Sequence, residues 1–286
     1  MTGNVKRITR FSTGTVDIHP QHAYRGRSPM YWWILTSQRW LTRRPINVYV
    51  IEHRDGLVVF DTGQDRASVT DPAYFPGGPV GLIYRRLARF DIPETQTFAA
   101  GLENLGYRTG DVTHAVVSHL HQDHIGGIGM IPQAELLVGA AEWRSLQRPL
   151  AEARGLLRRH IDLPGLRWSP IEFTPLDGSR SRDRLAPFTE AADVFGDGSL
   201  VLLPTPGHTA GSVALLVQRH DGPPVLLVGD LTYDAHAFER GVDGGVGRAR
   251  RLRRSRRDVL ALRATHPGLR ILAAHDPAAA ELLAPQ

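Results

Sequence analysis

At 286 residues, with 42% hydrophobic and 22% charged residues, the chain suits one large folded domain and excludes a fibrous or disordered polymer. It has no cysteine, which rules out disulfides, thiolate nucleophiles and thiolate metal ligands. The net charge of +5 comes from 34 basic residues, all arginine except Lys6, and over this length it argues only weakly for a nucleic-acid partner.

Residues 1–10 are followed by no apolar run of signal-peptide length, and no apolar stretch is long enough to span a bilayer, so a cytoplasmic protein is expected. An N-terminal aromatic segment, about 20–45, carries Tyr31, Trp32, Trp33 and Trp40. Residues 47–52 and 57–60 are β-branched apolar runs around Arg54-Asp55-Gly56, the signal of a hairpin. The second run ends in Asp61-Thr62-Gly63. A helix is predicted over 94–109, a buried strand over 115–118, a strand over 136–138 and a helix from about 140 to 146. Five prolines predict an irregular insertion over about 148–190. Strands then follow at 199–203, 213–217 and 225–228, the last two joined by a turn at Asp221-Gly222. A helix from about 250 to 264 leads to a last strand at 270–274. Strands in both halves with helices between them predict an α/β sandwich in a single domain, residues 1–286.

The chemistry concentrates in His119-Leu120-His121-Gln122-Asp123-His124, which follows a buried strand and precedes Gly126-Gly127. A packed core does not desolvate three imidazoles and a carboxylate without a partner, so this loop is read as a metal site. His119 and His121 alternate along an extended segment and can face one ion; Asp123 and His124 can turn to a second. Three more donors end predicted strands or follow them in a turn: His208 in Pro206-Gly207-His208-Thr209-Ala210-Gly211, Asp230 after Gly229, and His275 before Asp276. Loops at one edge of a rigid scaffold are where sites are built. The remaining histidines, among them His22, His53, His220 and His236, fall outside this spacing and are read as surface or structural.

These motifs, in order from about residue 46 to 276, resemble the metallo-β-lactamase superfamily. The resemblance implies a four-layer αββα sandwich, two mixed β-sheets flanked by helices. It implies one metal on His119, His121 and His208 and another on Asp123, His124 and His275, with Asp230 bridging. Zinc is the ion the family suggests; manganese, iron or cobalt suit the same donors. Gly229-Asp230-Leu231-Thr232-Tyr233, with a tyrosine three residues after the bridging aspartate, is similar to the N-acyl homoserine lactonases, the quorum-quenching branch. That likeness implies hydrolysis of a lactone ester by a hydroxide bridging the two ions. Tyr233 would donate a hydrogen bond to the carbonyl oxygen, and Asp123 would carry the proton to the leaving alkoxide. Asp61 is expected either to accept the second N–H of a ligand histidine or only to shape its turn.

Other hydrolases on this fold remain open: a thioesterase, a β-lactamase-like enzyme, a phosphodiesterase or a ribonuclease. A non-enzymatic nucleic-acid-binding or metal-sensing module is the reading of another class. The seven arginines within 248–257 are read as a solvated helix face, with Leu252 and Val259 or Leu260 on its buried side. The aromatic segment is read as core, as lining for an acyl chain, or as the contact of a homodimer.

Overall fold

The structure is a computed structural model that describes residues 3–219 and 222–283; His220 and Asp221 of the expected turn lie outside these. Seven strands build the first sheet: β1 (Val5–Ile18), β2 (Leu41–His53), β3 (Gly56–Phe60), β4 (Ala88–Asp91), β5 (Val112–Val117), β6 (Glu135–Gly139) and β7 (Arg167–Ile171). Their spatial order is β4-β1-β2-β3-β5-β6-β7. Six build the second: β8 (Thr174–Pro175), β9 (Glu190–Asp193), β10 (Leu200–Pro204), β11 (Val213–Val217), β12 (Val225–Leu227) and β13 (Arg270–Leu272), in reverse order from β13 to β8. Both sheets are mixed. The hairpin of β2 and β3 is antiparallel while β3, β5, β6 and β7 run parallel. In the second sheet only β12 and β13 are parallel.

The helices in chain order are α1 (Pro20–Ala23), α2 (Met30–Thr36), α3 (Ala67–Thr70), α4 (Gly78–Leu87), α5 (Phe98–Asn104) and α6 (Gln122–Ile125). They continue with α7 (Ala140–Leu146), α8 (Arg158–Ile161), α9 (Gly178–Leu185), α10 (Ala235–Glu239), α11 (Ala249–Thr265) and α12 (Ala279–Leu283). None among the described residues is long and apolar enough to cross a membrane.

Alternation along the strands sorts the core into layers. Tyr49, Ile51, Val58, Phe60 and Val116 of the first sheet pack on Leu202, Leu215 and Leu227 of the second. Their neighbours Val48, Val50, Val59 and Val117 face outward onto Phe98, Leu102 and Ile125. On the far side Leu203, Leu216 and Leu226 pack on Leu252, Val259 and Leu262 of α11. Both faces of the central strands are therefore buried, which is why they read as continuous apolar runs. The result is the expected α/β/β/α sandwich. On α11, Leu252 and Val259 are buried and Leu260 is partly so, while Arg250, Arg251, Arg253, Arg254 and Arg257 are exposed.

Two differences from expectation have local causes. The helix predicted over 94–109 is confined to α5, capped by the Thr97 hydroxyl accepting from Ala100 N–H at 3.3 Å. It stops at Gly106, whose φ of +87° turns the chain so that Tyr107 N–H reaches Leu102 O at 3.0 Å. The 148–190 stretch supplies α8, α9 and the edge strands β7 and β8, so each sheet takes one strand from it.

Candidate metal centre

The C-terminal ends of β3, β5, β10, β12 and β13 lead to Asp61, to residues 118–124, and to His208, Asp230 and His275. The two sheets are tied at this edge by Val213 N–H donating to Ser118 O (3.0 Å) and Asn47 N–H to Ala274 O (2.9 Å). Gly229 has φ +53°, and a Cβ there would stand 2.6 Å from Ser118 Oγ, so only glycine lets the Asp230 turn approach the histidine loop this closely.

The seven expected donors converge. One group is His119, His121 and His208; a second is Asp123, His124 and His275; in each, the donor atoms lie within 4.8 Å of one another. Asp230 stands between them. Its Oδ2 is 3.5 Å from His208 Nε2, and its Oδ1 is 3.4 Å from His124 Nε2 and 3.3 Å from His275 Nε2.

The far side of the rings explains which nitrogens are left free. His124 Nδ1–H donates to Asp61 Oδ2 at 2.8 Å, and His275 Nδ1–H to Pro45 O at 3.0 Å. Ser118 Oγ–H donates to Asp61 Oδ2 (2.9 Å), so the same oxygen accepts from His119 Nδ1–H (3.0 Å). Asp61 Oδ1 takes Ser118 N–H at 2.7 Å. Asp61 is held at φ +59°, a strained conformation for a side-chain-bearing residue that these hydrogen bonds maintain. A second buried carboxylate, Glu142, accepts from Leu120 N–H (3.3 Å) and Gly211 N–H (3.0 Å) and so joins the two histidine loops.

His119 Nε2, whose ring commits its N–H to Ser118, and His208 Nε2 each face His121 Nδ1 at 3.0 Å. One imidazole lone pair cannot satisfy both, whereas a cation shared by three nitrogens can. His124 Nε2 and Asp230 Oδ1 are buried without a hydrogen-bond partner, which native interiors rarely tolerate. Imidazole and carboxylate are the donors that divalent transition ions take. The residues therefore fit two metal ions.

The electrostatics divide the donors. Burial pushes His119 and His208 well below the ordinary imidazole range, keeping them neutral donors. Burial opposes charge on His124 and His275, but Asp61, Asp230 and Asp123 outweigh it at His124, as Asp230 and Asp123 do at His275, and hold both above that range. Burial also opposes charge on Asp123 and Asp230, yet the facing His124 and His275 keep both carboxyls below their usual values.

Tyr233 is buried rather than a rim aromatic. Its Oη–H donates to Asp230 Oδ2 at 2.8 Å and its ring stacks on His275 at 5.7 Å. Burial, and then Asp230, push the phenol well above its ordinary pKa, so it stays protonated. Arg44 donates to its carbonyl oxygen. His22, which sequence reasoning set aside, lies with Nε2 3.1 Å from Tyr233 Oη. It is 211 residues away in sequence, and no local motif marks it. His236, by contrast, is exposed.

Beside the centre, α2 and α4 enclose a cavity of about 280 Å³ lined by Met30, Ile34, Val80, Ile83, Leu87 and His121. The aromatic segment thus contributes to a cavity wall. Trp33 is buried, while Trp32 is 64% exposed.

The sequence profile of the Metallo-beta-lactamase superfamily matches residues 41–275. The chain is 31% identical over 237 residues to the N-acyl homoserine lactonase AttM of Rhizobium johnstonii, covering 82% of this chain and 83% of that protein. It is 36% identical over 248 residues to the probable metallo-hydrolase Rv2300c of Mycobacterium tuberculosis, covering 81% of this chain and 74% of that one. Among solved structures it is similar, at a TM-score of 0.75 and 22% identity, to an N-acyl homoserine lactone hydrolase with N-hexanoyl-L-homoserine bound at its catalytic metal centre. That alignment covers 96% of this chain and 94% of the other.

Proposed function

The chain belongs to the metallo-β-lactamase superfamily, and from that premise we propose that it is a metal-dependent hydrolase that opens the lactone ring of N-acyl homoserine lactones. The observation that carries this reading is the Tyr233 hydroxyl, 2.8 Å from the carboxylate shared by the two donor groups. The name borne by the AttM relative supports it, as does the apolar cavity beside His121, which suits an acyl chain.

We assign one ion to His119, His121 and His208, a second to Asp123, His124 and His275, and Asp230 to both. Zinc fits this set, and manganese, iron or cobalt can replace it. Ions held there would lower the pKa of water towards neutrality and polarise a carbonyl oxygen. The protein's own groups do the rest. Asp61 and Ser118 fix the rings of His124 and His119. Tyr233, protonated at neutral pH, turns its O–H from Asp230 to the lactone carbonyl oxygen as charge develops there. Water's oxygen joins the carbonyl carbon and the ring C–O bond breaks. Asp123, whose side chain is 18% exposed at the edge of the site, takes the proton released by the attacking water and passes it to the leaving alkoxide. The cavity walls hold the acyl chain and exclude water from it.

The test is hydrolysis by metal-analysed protein of short- and long-chain N-acyl homoserine lactones beside a thioester, a β-lactam and a phosphodiester. Lactones are expected to turn over best, and Tyr233→Phe to lose about 10²–10³-fold in kcat, the cost of one oxyanion donor, with both metals retained. A fully loaded protein that prefers another of these substrates would overturn the lactonase reading.

A further inference from the structure

His22 is buried and belongs to none of the donor groups. It stands on α1, whose carbonyl at His22 accepts Gly245 N–H at 2.7 Å, so the loop after α10 clamps it. Its ring meets Tyr233 edge-on at 5.2 Å and tilts against Trp33 at 6.0 Å. Its Nε2 lies 3.1 Å from Tyr233 Oη, whereas its Nδ1 is buried with no partner.

Hydrogen-bond bookkeeping fixes the direction of this contact. Tyr233 has one proton, and Asp230 Oδ2 at 2.8 Å accepts it. Oη must then accept from His22, so Nε2 carries the hydrogen. The opposite tautomer would bury an unsatisfied N–H at Nδ1, which is rarer in folded proteins than a bare acceptor. Burial pushes His22 down to about 4, so the ring is neutral and has one N–H to give.

We propose that His22 is a positioning residue for Tyr233: its Nε2–H occupies the phenol oxygen's lone pair, so that the phenol can act only as a donor, to Asp230 at rest and to the substrate carbonyl oxygen during reaction. The chain Asp230–Tyr233–His22 orients the phenol and polarises its O–H, because hydrogen bonds in series strengthen one another. The inference rests on the role given to Tyr233 above. It adds a group from the N-terminal segment to the machinery at the strand ends.

The experiment compares His22→Leu, His22→Gln and Tyr233→Phe with the double variant His22→Leu/Tyr233→Phe, all analysed for metal. His22→Leu is expected to keep both metals and a KM within about twofold while kcat falls about ten- to a hundredfold, less than for losing an oxyanion donor outright. His22→Gln, which keeps an N–H donor, should recover part of that loss. In the double variant the leucine should cost nothing beyond Tyr233→Phe. An imidazole Nε2–H resonance of His22 should be visible by nitrogen-15 NMR in the metal-loaded protein and shift in Tyr233→Phe. Full kcat in His22→Leu beside a crippled Tyr233→Phe overturns the inference alone. So does an equal loss with and without Oη, or an Nδ1–H tautomer. Full activity in Tyr233→Phe itself overturns the role of Tyr233 and the inference with it.

Discussion

Asp61 does two things at once, and substitutions can separate them. Its positive φ shapes the turn after β3, a task glycine performs without strain. Its carboxylate accepts His124 Nδ1–H and both donors of Ser118, and through Ser118 it orients His119. If only the turn mattered, Asp61→Gly would be harmless. The carboxylate role predicts that Asp61→Gly and Asp61→Asn both lose metal affinity about 10–100-fold, the range for groups that orient a ligand histidine. Competition against a chelator of known affinity measures this, and a glycine variant that binds as tightly as the parent would reduce Asp61 to a turn residue. Glu142 joins two loops by the same logic, though neither loop's motif announces it.

At the scale of elements, α2 and α4 enclose the cavity proposed above for the acyl chain. The cavity of about 280 Å³ between them has the volume of about nine waters at roughly 30 Å³ each, enough for a medium acyl chain. Ile83→Trp should fill its middle. Excluding three methylenes at about 0.8 kcal/mol each costs about 2.4 kcal/mol, or about sixtyfold in kcat/KM for long-chain lactones, while short-chain ones are spared. Equal losses for all chain lengths would place the acyl chain elsewhere. Sequence reveals such walls poorly. The histidine loop, the Asp230 turn and His275 were legible because each is a short motif at the end of a strongly apolar strand. β1 was not, although it has 14 residues: its pairing with β2 shifts register three times, which breaks the period-two alternation that marks a strand. The short α2 and α4 line the cavity through contacts that only the folded chain makes. His22 was illegible for a stronger reason, since its side chain's hydrogen-bond partner among the described residues is Tyr233, 211 residues away.

Across the whole molecule, the donor groups are divided between the two sheets. His119, His121, Asp123 and His124 follow β5 of the first; His208, Asp230 and His275 follow β10, β12 and β13 of the second. Each ion would therefore staple one sheet to the other at the edge where backbone hydrogen bonds and the Glu142 carboxylate also join them. Without metal, the carboxylates and imidazoles there are buried partly unsatisfied, at a cost the inter-sheet core must offset. Metal that binds only the folded chain at a thousandfold excess over its Kd adds about 4 kcal/mol. For a chain near this size each kcal/mol moves Tm by about 2–4 °C, so chelation should lower Tm by about 10 °C and restored zinc should reverse it. His121→Ala, lacking a donor to one group only, should show a smaller shift. Differential scanning calorimetry at fixed metal activity decides the matter: a Tm indifferent to chelation would mean that the inter-sheet core alone holds this edge together, and that the donors are arranged without metal contributing to the fold.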